Sequence, residues 1–118
     1  MPYARFRPED ALLLMSHNFT LEKKFLAGLP VQGYRYIGML GPKKKFVKML
    51  DALRADEVPE DVYQQAAAAY APIGLQLGAE GPAEIALAVC AEILAVRKQM
   101  APKHLKDIEG PIHKHVLG

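Results

Sequence analysis

The sequence predicts an α/β domain, a small parallel sheet of about three strands flanked by helices, and three observations carry that expectation. Short apolar runs alternate with longer segments of helical period, the order expected of βαβ units. Proline or a capping residue stands where each helical segment begins, and glycine or proline punctuates the segments between. The 118 residues are 51% hydrophobic and 24% charged, the composition of one globular domain with a single core.

The first element is Ala11 to Met15, a continuous apolar run that suits a parallel strand buried on both faces. Ser16 to Thr20 reads as a turn, with Asn18 or Thr20 available to cap a helix from Leu21 to Leu29 that Pro30 ends. Tyr34 to Leu40 is rich in aromatic and β-branched residues and bounded by Gly33 and Gly41, which marks a second strand. Pro42 suits the first position of the next helix, because its missing N–H has no partner there in any case. That helix is expected to run to about Ala55 with Phe46, Val47, Leu50 and Leu53 on one face.

Pro59 opens a shorter helix through Ala69, and Ile73 to Gly78 reads as a short third strand or an extended turn. Gly81, Pro82 and Glu84 then mark a helix start. From Ile85 to Val96 that helix is apolar nearly all round except at Glu92, so it should be largely buried. Cys90 lies within it and reads as a small buried hydrophobe rather than a nucleophile. Strands are thus expected near residues 11–16, 34–39 and 73–77, in an α/β unit over 1–100. Residues 101–118 hold three of the four histidines without helical or strand period and read as a polar tail. His104, His113 and His115 could be imagined on a metal, but a tail offers no ordered second shell.

Several function classes fall away. No run approaches a membrane span, the first ten residues have no signal-type apolar stretch, and a cytoplasmic protein is expected. A single cysteine excludes an internal disulfide or a cysteine metal cluster. Residues 1–50 carry nine Lys or Arg against three acids, and residues 51–118 carry six against ten. That asymmetry favours an anionic ligand or acidic partner near the first half. It lacks the clustered basic face interleaved with aromatics that nucleic acid would need. No glycine-rich dinucleotide fingerprint, phosphate loop, nucleophile elbow or zinc-binding helix is present. Half of a nicotinamide-dependent oxidoreductase and a ligand-free interaction module are the alternative classes on the same fold, and the missing fingerprint makes NAD(P) an unlikely ligand.

Ligands of such folds sit at the carboxyl ends of the strands, which singles out two loops. In Gly41, Pro42, Lys43, Lys44 and Lys45, three lysines occupy the positive end of a helix, an unfavourable placement unless an anion shares the site. The bland alternative is a solvated lysine cluster. In Ser16, His17 and Asn18, the histidine could donate to an anion or move a proton, or the three could simply be a capping turn. The acids of Glu80 to Glu84 most simply serve a helix terminus.

Three ordered stretches carry a resemblance: Ala11 to Phe19 (ALLLMSHNF), Tyr36 to Lys45 (YIGMLGPKKK), and Ala71 to Ala79 (APIGLQLGA) leading into Pro82 to Ala86. In order and spacing they resemble the carboxyl-terminal domain of the XdhC/CoxI family, over roughly residues 11–99. The resemblance implies the second half of a Rossmann-like domain, in an accessory factor that binds molybdenum cofactor, supports its sulfuration and delivers it to xanthine dehydrogenase or a related molybdenum hydroxylase. It implies no turnover by the chain itself. Molybdopterin carries a phosphate, in keeping with the lysine-rich helix start. Family members usually have Thr-His-Asp where Ser16-His17-Asn18 stands and Gly-Ser-Arg-Arg-Lys where Gly41 to Lys45 stands, so a bidentate arginine grip is exchanged for point charges. Typical members also carry a first Rossmann half and an amino-terminal domain with a cysteine motif, neither of which is in this sequence. A sheet whose first strand lacks its usual neighbour is expected to find one in a homodimer or higher oligomer.

Overall fold

Along the first strand Leu12 and Leu14 are buried while Ala11 and Leu13 are exposed, and this alternation decides which face of the sheet is packed. The computed structural model describes residues 6–110. Its elements run β1 (Ala11–Leu14), α1 (Phe19–Gly28), β2 (Tyr36–Met39), α2 (Lys43–Ala55), α3 (Glu60–Ala67) and α4 (Gly81–Lys98), followed by a single 3-10 turn at Leu105–Asp107. β1 and β2 pair in parallel with Ala11 opposite Tyr36 and Leu14 opposite Met39. The pairing continues past the strand ends, where the Leu40 amide donates to the Leu14 carbonyl at 3.0 Å.

One core lies between the sheet and the first three helices. Leu12, Leu14, Ile37 and Met39 from the strands meet Leu26 and Leu29 from and just after α1, Met49 and Leu53 from α2, and Ala66 from α3. On α2 the buried face is Met49 and Leu53, with Phe46 and Leu50 partly covered, whereas Val47 is 52% exposed and does not join the face expected for it. Ala66 sits fully inside the core, so the alanine run of α3 serves close approach as well as helix propensity. Pro42 and Pro59 stand one residue earlier than expected, as the residues before α2 and α3.

The α/β class and the parallel sheet are as the sequence predicts, but the sheet is smaller. Ile73 to Leu77 is not a strand. The edge of β2 is taken instead by Tyr70, which bridges to Gly38 in parallel, and by Ile73, whose amide donates to the Met39 carbonyl. Pro72 between them has no amide to give, and Gly74 at φ +103° turns the chain away from extended geometry, so a ladder cannot propagate.

The second difference is α4, expected to be largely buried. Only Ala88 and Val89 are buried, and Leu87 and Leu94 are 66% and 54% exposed. Cys90 is exposed as well, against the expectation of a buried thiol. The reason is geometric: α4 lies on the far face of β2, where a two-stranded sheet offers room for one small contact. Three hydrogen bonds fix it there. Tyr36 Oη donates to Glu92 Oε1 at 2.6 Å, the Gly74 amide donates to the same oxygen at 2.9 Å, and the Leu75 amide donates to the Ala88 carbonyl at 3.2 Å. Burial and the bond to Glu92 push the Tyr36 hydroxyl well above its ordinary range, so it stays a donor. Tyr70 stacks on the Tyr36 ring at 4.8 Å between centroids.

Gly38 is where this face is tightest. A Cβ there would lie 2.5 Å from Ile73 Cγ2 and 2.7 Å from Tyr36 Cε1. Gly38→Ala is therefore expected to lower stability by about 1–3 kcal/mol, the usual cost of overpacking, read as a fall in urea midpoint; an unchanged midpoint would mean that the Tyr70 to Ile73 segment yields freely.

No helix among the described residues is long and apolar enough to cross a membrane. The described part of the tail, residues 101–110, is exposed, and residues 111–118, with His113 and His115, lie outside the described residues. Among the described residues no group of three potential ligands is placed to hold a metal ion.

Candidate functional site at the carboxyl ends of the strands

Because β1 and β2 are adjacent and parallel, the two loops singled out from sequence leave the sheet side by side. The first loop is shaped by hydrogen bonds of its own. Asn18 is the N-cap of α1 and its side chain accepts from the Leu21 amide at 3.0 Å. Ser16 Oγ accepts from the Asn18 amide at 3.1 Å. Between them His17 adopts φ +61°, a left-handed conformation uncommon outside glycine but tolerated by histidine, and its ring is exposed. His17 thus stands in the turn that joins the carboxyl end of β1 to α1.

The second loop turns at Gly41, φ +126°, where a Cβ would come within 2.9 Å of Lys45 Cδ. That close approach exists because Lys45 folds back over the loop. Its ammonium donates to the Leu40 carbonyl at 3.1 Å and pairs with Glu22 at 2.9 Å. Glu22 is 3% exposed. Its other carboxylate oxygen accepts from the Ser16 amide and from Ser16 Oγ, both at 2.9 Å. Glu22 thus ties Ser16 of the first loop to Lys45 of the second.

The lysine cluster therefore divides. Lys45 is turned inward and neutralised, which corrects the expectation that all three lysines face an anion. Lys43 and Lys44 are exposed and have no ion-pair partner among the described residues. They open α2 at an end with no side-chain cap and no acid in its first turn, so two cations stand at a helix start whose first amides no side chain caps.

Burial alone would raise the Glu22 carboxyl, but the Lys45 ammonium and the Ser16 donors outweigh it and hold the group below the usual carboxylate range. Its folded value lies below its unfolded one, so the stability it contributes is present above the unfolded value and is lost as pH falls through the folded one. The urea midpoint should accordingly drop on acidification below about pH 4, and less steeply in Glu22→Gln; parallel pH curves for the two proteins would remove Glu22 from the acid transition.

Sequence reasoning missed Glu22. Its signal was nonetheless present: residues 22, 26 and 29 share one face of a helix, and an acid on a face otherwise made of Leu26 and Leu29 needs a buried cation.

A different cavity, about 560 Å³, lies at the opposite end of β2 and is lined by Arg35, Tyr70, Glu92 and Arg97 among others. No sequence signal pointed to it.

The family profile of the XdhC Rossmann domain matches residues 1–93. A probable xanthine dehydrogenase subunit from Bacillus subtilis is 34% identical over 97 residues, covering 82% of this chain and 26% of that protein. The uncharacterized protein YqeB of Escherichia coli is 34% identical over 104 residues, covering 83% of this chain and 18% of its own length. Among solved structures, a xanthine dehydrogenase from Bacillus halodurans superposes with a TM-score of 0.62 at 28% identity, covering 93% of this chain and 28% of that one. The chain thus spans between about a fifth and just over a quarter of the proteins it matches.

Proposed function

The chain belongs to the XdhC family of Rossmann domains, related to the xanthine dehydrogenase accessory factors, and from that premise we propose that it holds molybdenum cofactor by its phosphate on behalf of a xanthine dehydrogenase-like client. It serves as an accessory protein and not as the catalyst. The cofactor is cargo, and the proposed grip is the start of α2: the first-turn amides with Lys43 and Lys44, completed by the exposed imidazole of His17 on the adjacent loop. Ser16, Asn18, Gly41 and Lys45 act indirectly. They set the loop shapes, and the Glu22–Lys45 pair keeps the two loops in register.

The observation that supports this reading best is the division of the lysines. A buried carboxylate consumes Lys45 alone, while two cations at an uncapped helix start have no acid beside them, a donor set that suits a terminal phosphate.

The test uses two ligands that differ in one group. Molybdopterin-containing cofactor should bind the chain in equilibrium dialysis at least tenfold more tightly than the same cofactor with its terminal phosphate removed. Equal retention of both would contradict the proposed grip and move recognition to the ring.

A further inference from the structure

The two carboxylate oxygens of Glu22 have different tasks. Oε2 accepts from the Ser16 amide and hydroxyl, both at 2.9 Å. Oε1 faces the Lys45 ammonium at 2.9 Å and has no other partner among the described residues. Glu22 is buried, and a charged oxygen left bare in such a place is far more costly than one in water. The ammonium is therefore held, and the pair presents little net charge to a ligand outside.

The held ammonium stands at the end of α2 where an anion would want it. Side chains of a helix lean back toward its start, and Lys45 leans far enough to reach the Leu40 carbonyl, 3.1 Å away and two residues before the N-cap Pro42. Its charge is thus carried past the first turn, toward the same end that Lys43 and Lys44 open. A lysine stem is flexible, so its release would need no change in the helix. What holds it back is Glu22, together with the Leu40 carbonyl.

We propose that Glu22 is a specificity-determining residue: by withholding Lys45 it sets the helix start for a single phosphate group and against a diphosphate, which would draw on a third ammonium. The proposal rests on the reading of Lys43 and Lys44 as an anion grip. Two cations balance a phosphate monoester, whose charge is about −1.5 to −2 at neutral pH. They leave part of the larger charge of a diphosphate without a partner. A buried ion pair gives little net stability compared with apolar packing in the same space, so the pair is better explained by what it does to the charge of the site.

Glu22→Gln keeps the size of the side chain and an acceptor for Ser16 but has no charge with which to hold the ammonium. Calorimetric titration with inorganic pyrophosphate should show this variant binding about tenfold more tightly than the unmodified protein, the effect of one charged hydrogen bond. Inorganic phosphate, already matched by two cations, should gain far less. Glu22→Gln combined with Lys45→Gln should lose the gain. A purely structural Glu22 predicts the opposite, since loosened loops weaken the binding of every anion. In the unmodified protein, pyrophosphate should shift the side-chain NMR signals of Lys43 and Lys44 and leave those of Lys45 in place, a measurement that needs no variant. Four results would each overturn the proposal: pyrophosphate binding unchanged or weakened in folded Glu22→Gln, a gain that persists without Lys45, an equal gain for phosphate, or Lys45 signals that move as far as those of Lys43. If neither the unmodified protein nor Glu22→Gln binds pyrophosphate, the anion grip falls as well. Binding by the unmodified protein that Glu22→Gln leaves unchanged removes only the selection by Glu22.

Discussion

Lys45→Met should remove about 3 kcal/mol of folding stability, the lower part of the range for taking one partner from a buried ion pair, while Lys43→Met should change it by less than about 0.5 kcal/mol, as surface substitutions do. The two lysines are two residues apart on one helix, and nothing in their type distinguishes them. Their surroundings do. Removal of Lys45 leaves Glu22, 3% exposed, with only the Ser16 donors, and frees the Leu40 carbonyl that Lys45 also satisfied. Lys45 is itself 20% exposed on its side chain, so water enters part of the vacancy and the low end of the range applies. The orphaned carboxyl should take up a proton, which makes the loss smaller as pH falls. Adding Glu22→Gln to Lys45→Met should recover part of it. Urea unfolding of the four proteins at neutral and acidic pH measures all of this, and equal midpoints for Lys45→Met and Lys43→Met would mean that the pair contributes nothing.

The largest functional effect is expected at the other two lysines. Lys43→Glu with Lys44→Glu should weaken binding of molybdopterin-containing cofactor by a hundredfold or more. A hydrogen bond to a charged group contributes roughly 1.5–3 kcal/mol, and about 1.4 kcal/mol is a factor of ten, so each lost ammonium accounts for about tenfold before repulsion is added. Because the contacts are exposed, the affinity of the unmodified protein should also fall with salt. Thermal stability should not fall, since acids in a helix's first turn oppose no dipole. Binding unchanged by the double reversal, measured by equilibrium dialysis with folding checked by circular dichroism, would leave only solvated charge at the start of α2.

Local chemistry made much of the fold legible. Asn18 could be read as a cap because its side chain suits the role, and the structure gives it that role. The two strands were readable because their apolar and aromatic runs are short and bounded by turn residues. What failed was whatever depended on how much sheet there is. The apolar girth of α4 says that it can be buried on all sides, but burial needs surfaces, and β2 alone supplies contact for Ala88 and Val89. The same shortage leaves Cys90 in solvent. Ile73 to Leu77 looked like a strand by composition, yet Pro72 and Gly74 set the backbone there, and hydrogen bonds to β2 come from Tyr70 and Ile73 instead.

The site was legible by position and misread in one of its parts. Parallel strands bring their following loops together whatever the side chains are, which is why Ser16 to Asn18 and Gly41 to Lys45 could be placed at one edge. The inward turn of Lys45 depends on Glu22, and Glu22 acquires its role only when α1 lies against the second loop. Periodicity places it on the face with Leu26 and Leu29 but does not name its partner.

The most direct test of the anion-gripping helix start is a titration of isotopically labelled protein with inorganic pyrophosphate, followed by amide NMR. Saturable shifts should concentrate at Lys43, Lys44 and His17 and leave Arg35 and Arg97, at the far end of β2, where they were. Shifts centred on Arg35 and Arg97, or none that saturate, would contradict it.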